Sequence, residues 1–469
     1  MRDACVTVDS AEPSLPDPPG GGPPIELLAA GKRRNNGREG MVFRPVQFLG
    51  CKLRSLDAIE SAVTDLAPSG AVWDAFTGST VVAQRLATTG RVVATDALQS
   101  SAYFAQAVLG IGRGSLSPSA DELLSEFEQA LGQARTDEVG PWAEWLAKEA
   151  DALERSDGAA LLDIGGRIPQ SWRRDGAGTE IADMLDDDAS FRVMSSTYAG
   201  TYFGIRQSIR LDAIVTAIGC LEAEGRVGDW SLSVLRTALC GAASDAVFSA
   251  GKHFAQPHRV REGKSLTFLR TRVLSDRAVD VDVRFAEAVR EIVAAARDGE
   301  EGHQAERLTV ESVDGDQLVK WGVSAVYADP PYTAQQYSRF YHLLETLVRG
   351  STPRLQRVDG RVTRGLYPEG RYLSPFCSRR KAPGAIDALV DACAGAGASL
   401  VVSYSEGSGP ESGNARMVSL ADLTRRIEAR FGAANVTVER LDHAYRRFNS
   451  TDLTFAEQEM PEFLIVASA

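Results

Sequence analysis

The sequence predicts an α/β fold, with a parallel sheet between helices and a long, mainly helical insertion. Near the start, the apolar run Ala71–Asp74 is followed by a glycine-containing loop, a helical pattern and a second run, Arg91–Asp96. Far downstream, the run Val326–Ala328 has the character of a buried parallel strand. Between them, residues 111–310 repeat apolar side chains at intervals of three and four, as helices do.

Length and composition set the broad class of the protein. The chain has 469 residues, 44% hydrophobic and 24% charged, which predicts a globular protein with two domains or one domain and a large insertion. It has no long apolar run and no signal pattern at its start, so we expect a cytoplasmic protein that does not cross a membrane. Six cysteines without CxxC spacing favour a reducing compartment and argue against structural zinc.

Charge and local composition give two further expectations. A net charge of −12 argues against a uniformly basic surface, so any DNA-binding residues must gather on one side. Residues 1–40 are rich in Pro and Gly and predict a disordered arm. Its basic run Lys32–Arg34 leaves open a tail that contacts DNA phosphates, and the folded part should begin near Phe43.

The downstream strand ends in a rigid polar tip, Asp329-Pro330-Pro331-Tyr332. Ligands of open α/β sheets bind beyond the carboxyl ends of strands, and proline stops a strand there. The Asp329 carboxylate and the Pro330 carbonyl could accept two hydrogen bonds from one amino group, while Tyr332 offers a face to a flat ring. This arrangement suits methylation of the exocyclic amino group of a nucleobase. A plain Pro-Pro turn at a strand end is the structural alternative.

The loop after the first strand predicts a ligand site of its own. Glycine lets a ligand approach the backbone closely, and N–H groups at a helix start bind polar groups. An acid at the end of the next strand is where nucleotide-binding sheets hold a ribose hydroxyl. Without a GxGxxG pattern, a nucleoside ligand is favoured over a dinucleotide. The candidate residues are Asp74, Phe76, Thr77, Gly78, Ser79, Thr80 and Asp96.

In order, the segments Phe48–Lys52, Asp74–Thr80, Asp96 and Asp329–Tyr332 resemble the Dam-like, alpha-group DNA adenine-N6 methyltransferases. The resemblance implies a Rossmann-like class I methyltransferase fold that binds S-adenosylmethionine. It also implies that Phe48, Gly50 and Lys52 line the cofactor pocket. Thr80 stands where many members have a second glycine, and Cys51 where serine is usual. An acid near the cofactor's adenine would be Asp314, with Asp316 as the rival.

The resemblance continues downstream of the tip. Segment 336–346 is similar to the helix that follows in relatives, which implies that Tyr337 lines the target-base pocket; a core aromatic is the alternative. Segment 374–381 is similar to one that precedes a helix, and its Arg379, Arg380 and Lys381 could reach phosphates. The strands Ser399–Ser405 and Phe463–Val466, with the segment Tyr445–Phe448 before the second, complete the match. The resemblance thus divides the folded chain into catalytic parts 41–110 and 311–469 around the insertion 111–310.

In the alpha group such an insertion recognises the target sequence. The stretch from Lys252 to Arg272 holds a local excess of positive charge over the single acid Glu262, which predicts a DNA-facing surface, although a solvated loop is the alternative. Its candidate contacts are Lys252, His253, Arg259, Arg261 and Lys264. The histidine could equally be structural.

The resemblance therefore implies an enzyme that binds double-stranded DNA and methylates a flipped adenine. It also implies a possible cognate restriction endonuclease or other defence protein as partner. Three alternatives remain open at the level of sequence. One is an enzyme acting on adenine in RNA or on a protein glutamine amide. The second is a non-catalytic DNA-binding protein with a methyltransferase fold, and the third is a small-molecule methyltransferase.

Overall fold

A computed structural model describes residues 42–66, 70–133, 140–172, 192–260, 265–406, 415–441 and 461–469. The predicted disordered arm and the segment Tyr445–Phe448 lie outside these residues. In the described part of the chain, no helix is long and apolar enough to cross a membrane.

Seven strands form one mixed, mostly parallel sheet, which confirms the predicted α/β class. Their order across the sheet is β3-β2-β1-β4-β5-β7-β6, and β7 alone runs in the direction opposite to the other six strands. The strands are β1 (Ala71–Asp74), β2 (Val92–Asp96), β3 (Gln304–Arg307), β4 (Val323–Ala328), β5 (Ser399–Ser405), β6 (Val436–Leu441) and β7 (Glu462–Ala467). A separate two-stranded hairpin pairs Arg357–Val358 with Arg361–Val362.

Fifteen helices surround the sheet or build the insertion within the described residues. Those before and within the insertion are α1 (Leu56–Leu66), α2 (Val81–Leu86), α3 (Gln99–Val108), α4 (Ala120–Gln133), α5 (Ala143–Glu154), α6 (Gly158–Arg167), α7 (Ile205–Ala223), α8 (Asp229–Ala246), α9 (Leu266–Arg277) and α10 (Val281–Ala295). Those after it are α11 (Gly315–Trp321), α12 (Tyr337–Phe340), α13 (His342–Arg349), α14 (Ala382–Ala396) and α15 (Leu420–Phe431).

Helices cover both faces of the sheet, which explains why its central strands are continuously apolar. Successive side chains of a strand point to opposite faces. In β1, Val72 belongs to the core with α1–α3 and the larger helices of the insertion, whereas Trp73 belongs to the core with α11, α14 and α15. A third apolar cluster joins α5, α6 and α9. The sheet is therefore fixed from both sides, and its carboxyl edge is a rigid platform.

The insertion enters the sheet domain between α3 and β3. Helix α8 packs against α3 and α10, so the insertion shares the first core with the sheet. Strand β3 falls inside the range 111–310 but pairs in parallel with β2. The helical part of the insertion thus ends before Gln304.

Candidate functional site

The site lies at the carboxyl edge of β1 and β4, where the strand order reverses. In open α/β sheets this switch point forms a crevice for ligands. Asp74 ends β1 and pairs with Tyr327 of β4, so Asp329 follows at almost the same height. Two carboxylates from distant parts of the sequence therefore face one crevice.

A cleft of about 870 Å³, counted with the space at its mouth, opens at this point. Its lining comes from segments 48–52, 74–79, 96–98 and 336–338, with Val81, Val82, Val310, Tyr327, Asp329, Pro331, Tyr372 and Ser374. The structure thus brings together the candidate residues Phe48, Gly50, Lys52, Asp74, Phe76, Thr77, Gly78, Ser79, Asp96, Asp329, Pro331 and Tyr337.

The loop after β1 leaves no room for a side chain at Gly78. Its φ is 51°, and a Cβ there would lie 2.9 Å from the ring of Phe48. The Gly78 N–H donates to Oδ2 of Asp96 at 2.9 Å, and the Leu98 N–H donates to Oδ1 at 2.8 Å. Burial raises the pKa of Asp96 to about 6, although these two N–H groups oppose the rise. Asp96 thus ties the ends of β1 and β2 together at the floor of the cleft.

Thr80 adopts the left-handed conformation that glycine prefers. Its φ is 68°, which is unusual for a β-branched residue. Its hydroxyl accepts a hydrogen bond from Gln84 Nε2 at 2.9 Å, and Gln84 also bonds both backbone groups of Phe43. Thr80 is fully buried and does not line the cleft. It shapes the loop from behind, at the position where glycine is usual in the family the sequence resembles.

Asp74 is buried at the inner wall of the cleft. Among the described residues, neither of its oxygens has a hydrogen-bond partner of normal geometry. Burial raises its pKa to about 8, and the negative charges of Asp96 and Asp329 add to the rise, whereas weak hydrogen bonds from the backbone of Phe76 and Ala83 oppose it. A buried acceptor without a partner is costly, so this position favours a ligand with donors or positive charge.

Lys52 connects two carboxylates at the mouth of the cleft. Its Nζ lies 3.0 Å from Oδ2 of Asp329 and 2.8 Å from Oε1 of Glu462, and its side chain is 7% exposed. The other oxygen of Glu462 accepts a hydrogen bond from Ser55 Oγ at 2.9 Å. Burial alone would lower the pKa of Lys52, but the negative charges, led by that of Asp329, raise it well above its usual range. Lys52 is therefore a permanent cation beside Asp329.

Asp329 presents one satisfied and one free oxygen. Oδ2 pairs with Lys52, whereas Oδ1 is buried without a hydrogen-bond partner among the described residues. Burial raises the pKa of Asp329 to about 6; Lys52 opposes the rise and Glu462 adds to it. Near neutral pH the carboxylate is ionised, with one acceptor available to a ligand.

The rest of the tip lies beside the cleft. Pro331 lines it, and Pro330 is buried behind it. Tyr332 does not line the cleft and is half-buried between two neighbours. The guanidinium of Arg416 lies over its ring at 4.5 Å, and Tyr404 meets it edge to face at 5.6 Å.

An aromatic wall closes the opposite side. Phe48 stacks on Tyr341 at 4.2 Å and lies 5.9 Å from Tyr337. The Tyr341 hydroxyl accepts the N–H of Leu49 at 2.7 Å, which fixes the segment that carries Phe48. Tyr337 approaches Gly50 so closely that a Cβ there would lie 3.3 Å from its hydroxyl oxygen.

The predicted basic contacts lie elsewhere. Lys252 is part of the interior: its Nζ donates to Asp245 O and Val247 O and pairs with Asp276 at 2.8 Å. This placement argues against a phosphate contact. His253 is buried against Phe340, and burial lowers its pKa to about 4.

The remaining DNA-binding candidates either are more accessible or lie outside the described residues. Arg259 is partly exposed and donates to the carbonyl of Arg364 at 2.9 Å. Arg379, Arg380 and Lys381 are exposed before α14. Arg261 and Lys264 lie outside the described residues.

Asp314 does not line the cleft. Its side chain caps α11 by accepting the Gln317 N–H at 2.9 Å, and both Asp314 and its rival Asp316 are exposed.

Glu462 is the clearest site residue that sequence reasoning missed. Because β7 is antiparallel, its first residue lies at the same edge as the last residues of the parallel strands, and Glu462 pairs with Ser405. Gln336 was also missed: its side chain bonds both backbone groups of Ser374, which joins two walls of the cleft. An acid directly before the closing strand was the available signal for Glu462.

Comparison with protein-family models finds no match, and no curated protein matches the chain.

Proposed function

We propose that this protein is an S-adenosylmethionine-dependent DNA methyltransferase that modifies the exocyclic amino group of adenine. The observation that carries the proposal is the free, buried Oδ1 of Asp329, at the switch point of the sheet and in one cleft with Asp96 and the Gly78 loop. The sheet order, with its single antiparallel strand, is compatible with this class of fold.

The part of the cleft around Asp74, Gly78 and Asp96 offers charged and hydrogen-bonding groups that suit the cofactor. S-adenosylmethionine carries a sulfonium and an ammonium group, and the buried carboxyl of Asp74 is suited to such positive charge. Asp96, at the end of β2, would hold the ribose hydroxyls. The glycine at 78 lets the chain approach the ligand closely beside Phe48. When bound, the cofactor would supply an electrophilic methyl group, whose bond to sulfur would break to leave a neutral thioether.

The part of the cleft beside Asp329 would hold the target amino group. Asp329 Oδ1 would accept one of its hydrogens and the Pro330 carbonyl the other, which frees the nitrogen lone pair for attack. Lys52 holds the Asp329 carboxylate in place through Oδ2. Much of the acceleration would come from this positioning and from negative charge near the nitrogen as it becomes positive.

The reaction also has to remove a proton. The amino nitrogen gains a carbon and must lose one hydrogen to become neutral again. A carboxylate with a pKa of about 6 can take that proton near neutral pH.

Duplex DNA is the proposed substrate. The amino group of a paired adenine is accessible only after the base leaves the stack. An extruded base needs a deep, partly apolar cleft such as this one. Tyr337, which lines the cleft, and Tyr332, which ends the tip beside it, are the aromatic candidates for contact with such a base. Any restriction or defence partner would act on the same DNA sequence.

The test is transfer of a tritium-labelled methyl group to DNA, RNA and protein substrates. Wild-type protein should label DNA, and Asp329→Ala should abolish labelling while S-adenosylmethionine binding survives in calorimetry. Glu306→Ala, which removes an exposed acid on the same sheet edge, is the matched control and should remain active. Substantial turnover by Asp329→Ala would refute the role of Asp329, and labelling of RNA or protein alone would refute the substrate.

A further inference from the structure

An arginine-rich segment projects beside the cleft. We call residues 353–371 the arginine loop; it holds five arginines against one aspartate and one glutamate, in a chain of net charge −12. Its tip is the hairpin Arg357–Val358 and Arg361–Val362. Asp359 and Gly360, with φ of 50° and 72°, form the two-residue turn that an Asp-Gly pair favours.

The arginines of this loop differ from most others in the protein. Among the described residues, none of the five forms a salt bridge, whereas many arginines elsewhere are paired with acids. Four of them are exposed: Arg354, Arg357, Arg361 and Arg364. Their positive charge is therefore not neutralised within the described part of the fold.

The fifth arginine of the loop, Arg371, lies at its base together with Arg339 of α12. Arg339 and Arg371 lie over the ring of Tyr367, at 5.4 Å and 4.8 Å. The Nε atoms of both are buried and lack a partner among the described residues. Arg371 also donates to Ser338 Oγ at 3.3 Å, and Ser338 lines the cleft. A second donor of Arg371 bonds Gln356 Oε1 at 3.2 Å. The base of the loop thus places two guanidinium groups, neither in a salt bridge among the described residues, next to the cleft.

The loop is held firmly by the helical insertion. Tyr367 donates from its hydroxyl to Ala255 O at 2.5 Å, and Tyr202 donates to Gly365 O at 3.0 Å. Leu366 is fully buried with φ of 52°, a strained conformation for leucine. A loop fixed by buried tyrosines presents its arginines at defined positions.

We propose that the arginine loop binds the phosphate backbone of duplex DNA beside the cleft. Guanidinium groups match phosphate geometry, and phosphate contacts fix the register of a protein on DNA. The exposed arginines would follow the backbone, while Arg339 and Arg371 would hold a phosphate close to the extruded nucleotide. This inference rests on the proposed function for the choice of duplex DNA as partner.

The test replaces the four exposed arginines by glutamine in the full chain. Binding to a fluorescent duplex oligonucleotide is measured by anisotropy over a range of salt concentrations, without cofactor. The variant should lose on the order of ten-fold or more in affinity, and the slope of log K against log salt should fall by about 0.9 for each lost phosphate contact. Circular dichroism and S-adenosylmethionine calorimetry check that the fold is intact.

A matched variant controls for net charge. The variant uses four arginines of the insertion that are 39% to 70% exposed: Arg155 directly after α5, Arg167 in α6, and Arg284 and Arg290 in α10. Their replacement by glutamine changes the charge equally and should leave DNA binding almost unchanged. Equal losses in both variants, or no loss in either, would overturn the proposal.

The outcome also separates this inference from the proposed function. Loop-dependent DNA binding without methyl transfer would support the loop and contradict the enzyme. Methyl transfer with loop-independent DNA binding would contradict the loop alone. A loss seen for duplex RNA and not for duplex DNA would overturn the choice of partner.

Discussion

The ion pair between Lys52 and Asp329 predicts opposite effects from two neutralising substitutions. Lys52→Met removes a cation 3.0 Å from the Asp329 carboxylate. An opposite charge so close lowers a carboxyl pKa by roughly 1 to 3 pH units. Lys52 holds the pKa of Asp329 down to about 6, so removal of the Lys52 charge should raise that pKa. Glu462→Gln removes a charge that raises the same pKa, and should lower it.

The assay is the pH dependence of kcat for methyl transfer, at saturating cofactor. Asp329 must be ionised to accept the amino hydrogen, so activity should fall as pH decreases through about 6 in the wild type. The acidic limb should move to higher pH in Lys52→Met and to lower pH in Glu462→Gln. An unchanged limb in both variants, or a shift in the same direction, would refute the role of the ion pair.

Three further predictions concern other parts of the cleft. Tyr332→Ala should weaken binding of the target base more than binding of S-adenosylmethionine, and equal losses of both affinities would contradict stacking. Gly78→Ala should lower cofactor affinity by roughly ten-fold or more through backbone strain and contact with Phe48. Gly90→Ala, where a Cβ meets nothing within 4 Å, is the control. Similar cofactor affinities of the two variants in calorimetry would argue against a close approach of the Gly78 loop to the cofactor. Asp74, with a pKa of about 8, is mostly protonated near neutral pH, and a cationic ligand lowers that pKa. Cofactor binding should therefore release a proton near neutral pH and none well above pH 8. Calorimetric titrations in buffers of different ionisation enthalpy measure this release. Proton release that persists in Asp74→Asn would be inconsistent with this assignment.

The central strands could be predicted because burial on both faces leaves an apolar signature. Strands β1, β2, β4 and β5 all begin or end within a few residues of the predicted runs. The two edge strands, β3 and β6, were not predicted, since most of their side chains are exposed or only partly buried and polar residues are mixed among them. Edge strands carry little of the signal that marks a sheet interior.

Site residues next to strand ends could be predicted, whereas those whose position depends on distant partners could not. Asp74, Asp96 and Asp329 follow apolar runs and meet in one cleft. Lys252 belongs to a basic stretch, but Asp276 and two carbonyls draw it into the interior. Only the fold reveals that difference.

The hairpin of the arginine loop has a local signal in the sequence. Val358-Asp359-Gly360-Arg361 is a typical hairpin turn, and arginines flank it closely. Its position beside the cleft depends on tyrosines of the insertion, which are more than a hundred residues away in the chain.

The central claim is methyl transfer to the amino group of adenine in DNA, and it can be tested in living cells. The protein is expressed in a host that lacks adenine methylation, and modified adenines are mapped by single-molecule sequencing. We expect N6-methyladenine at a defined sequence with the wild type and none with Asp329→Ala. Genomic DNA without N6-methyladenine, from cells that hold folded wild-type protein able to bind S-adenosylmethionine, would contradict the claim.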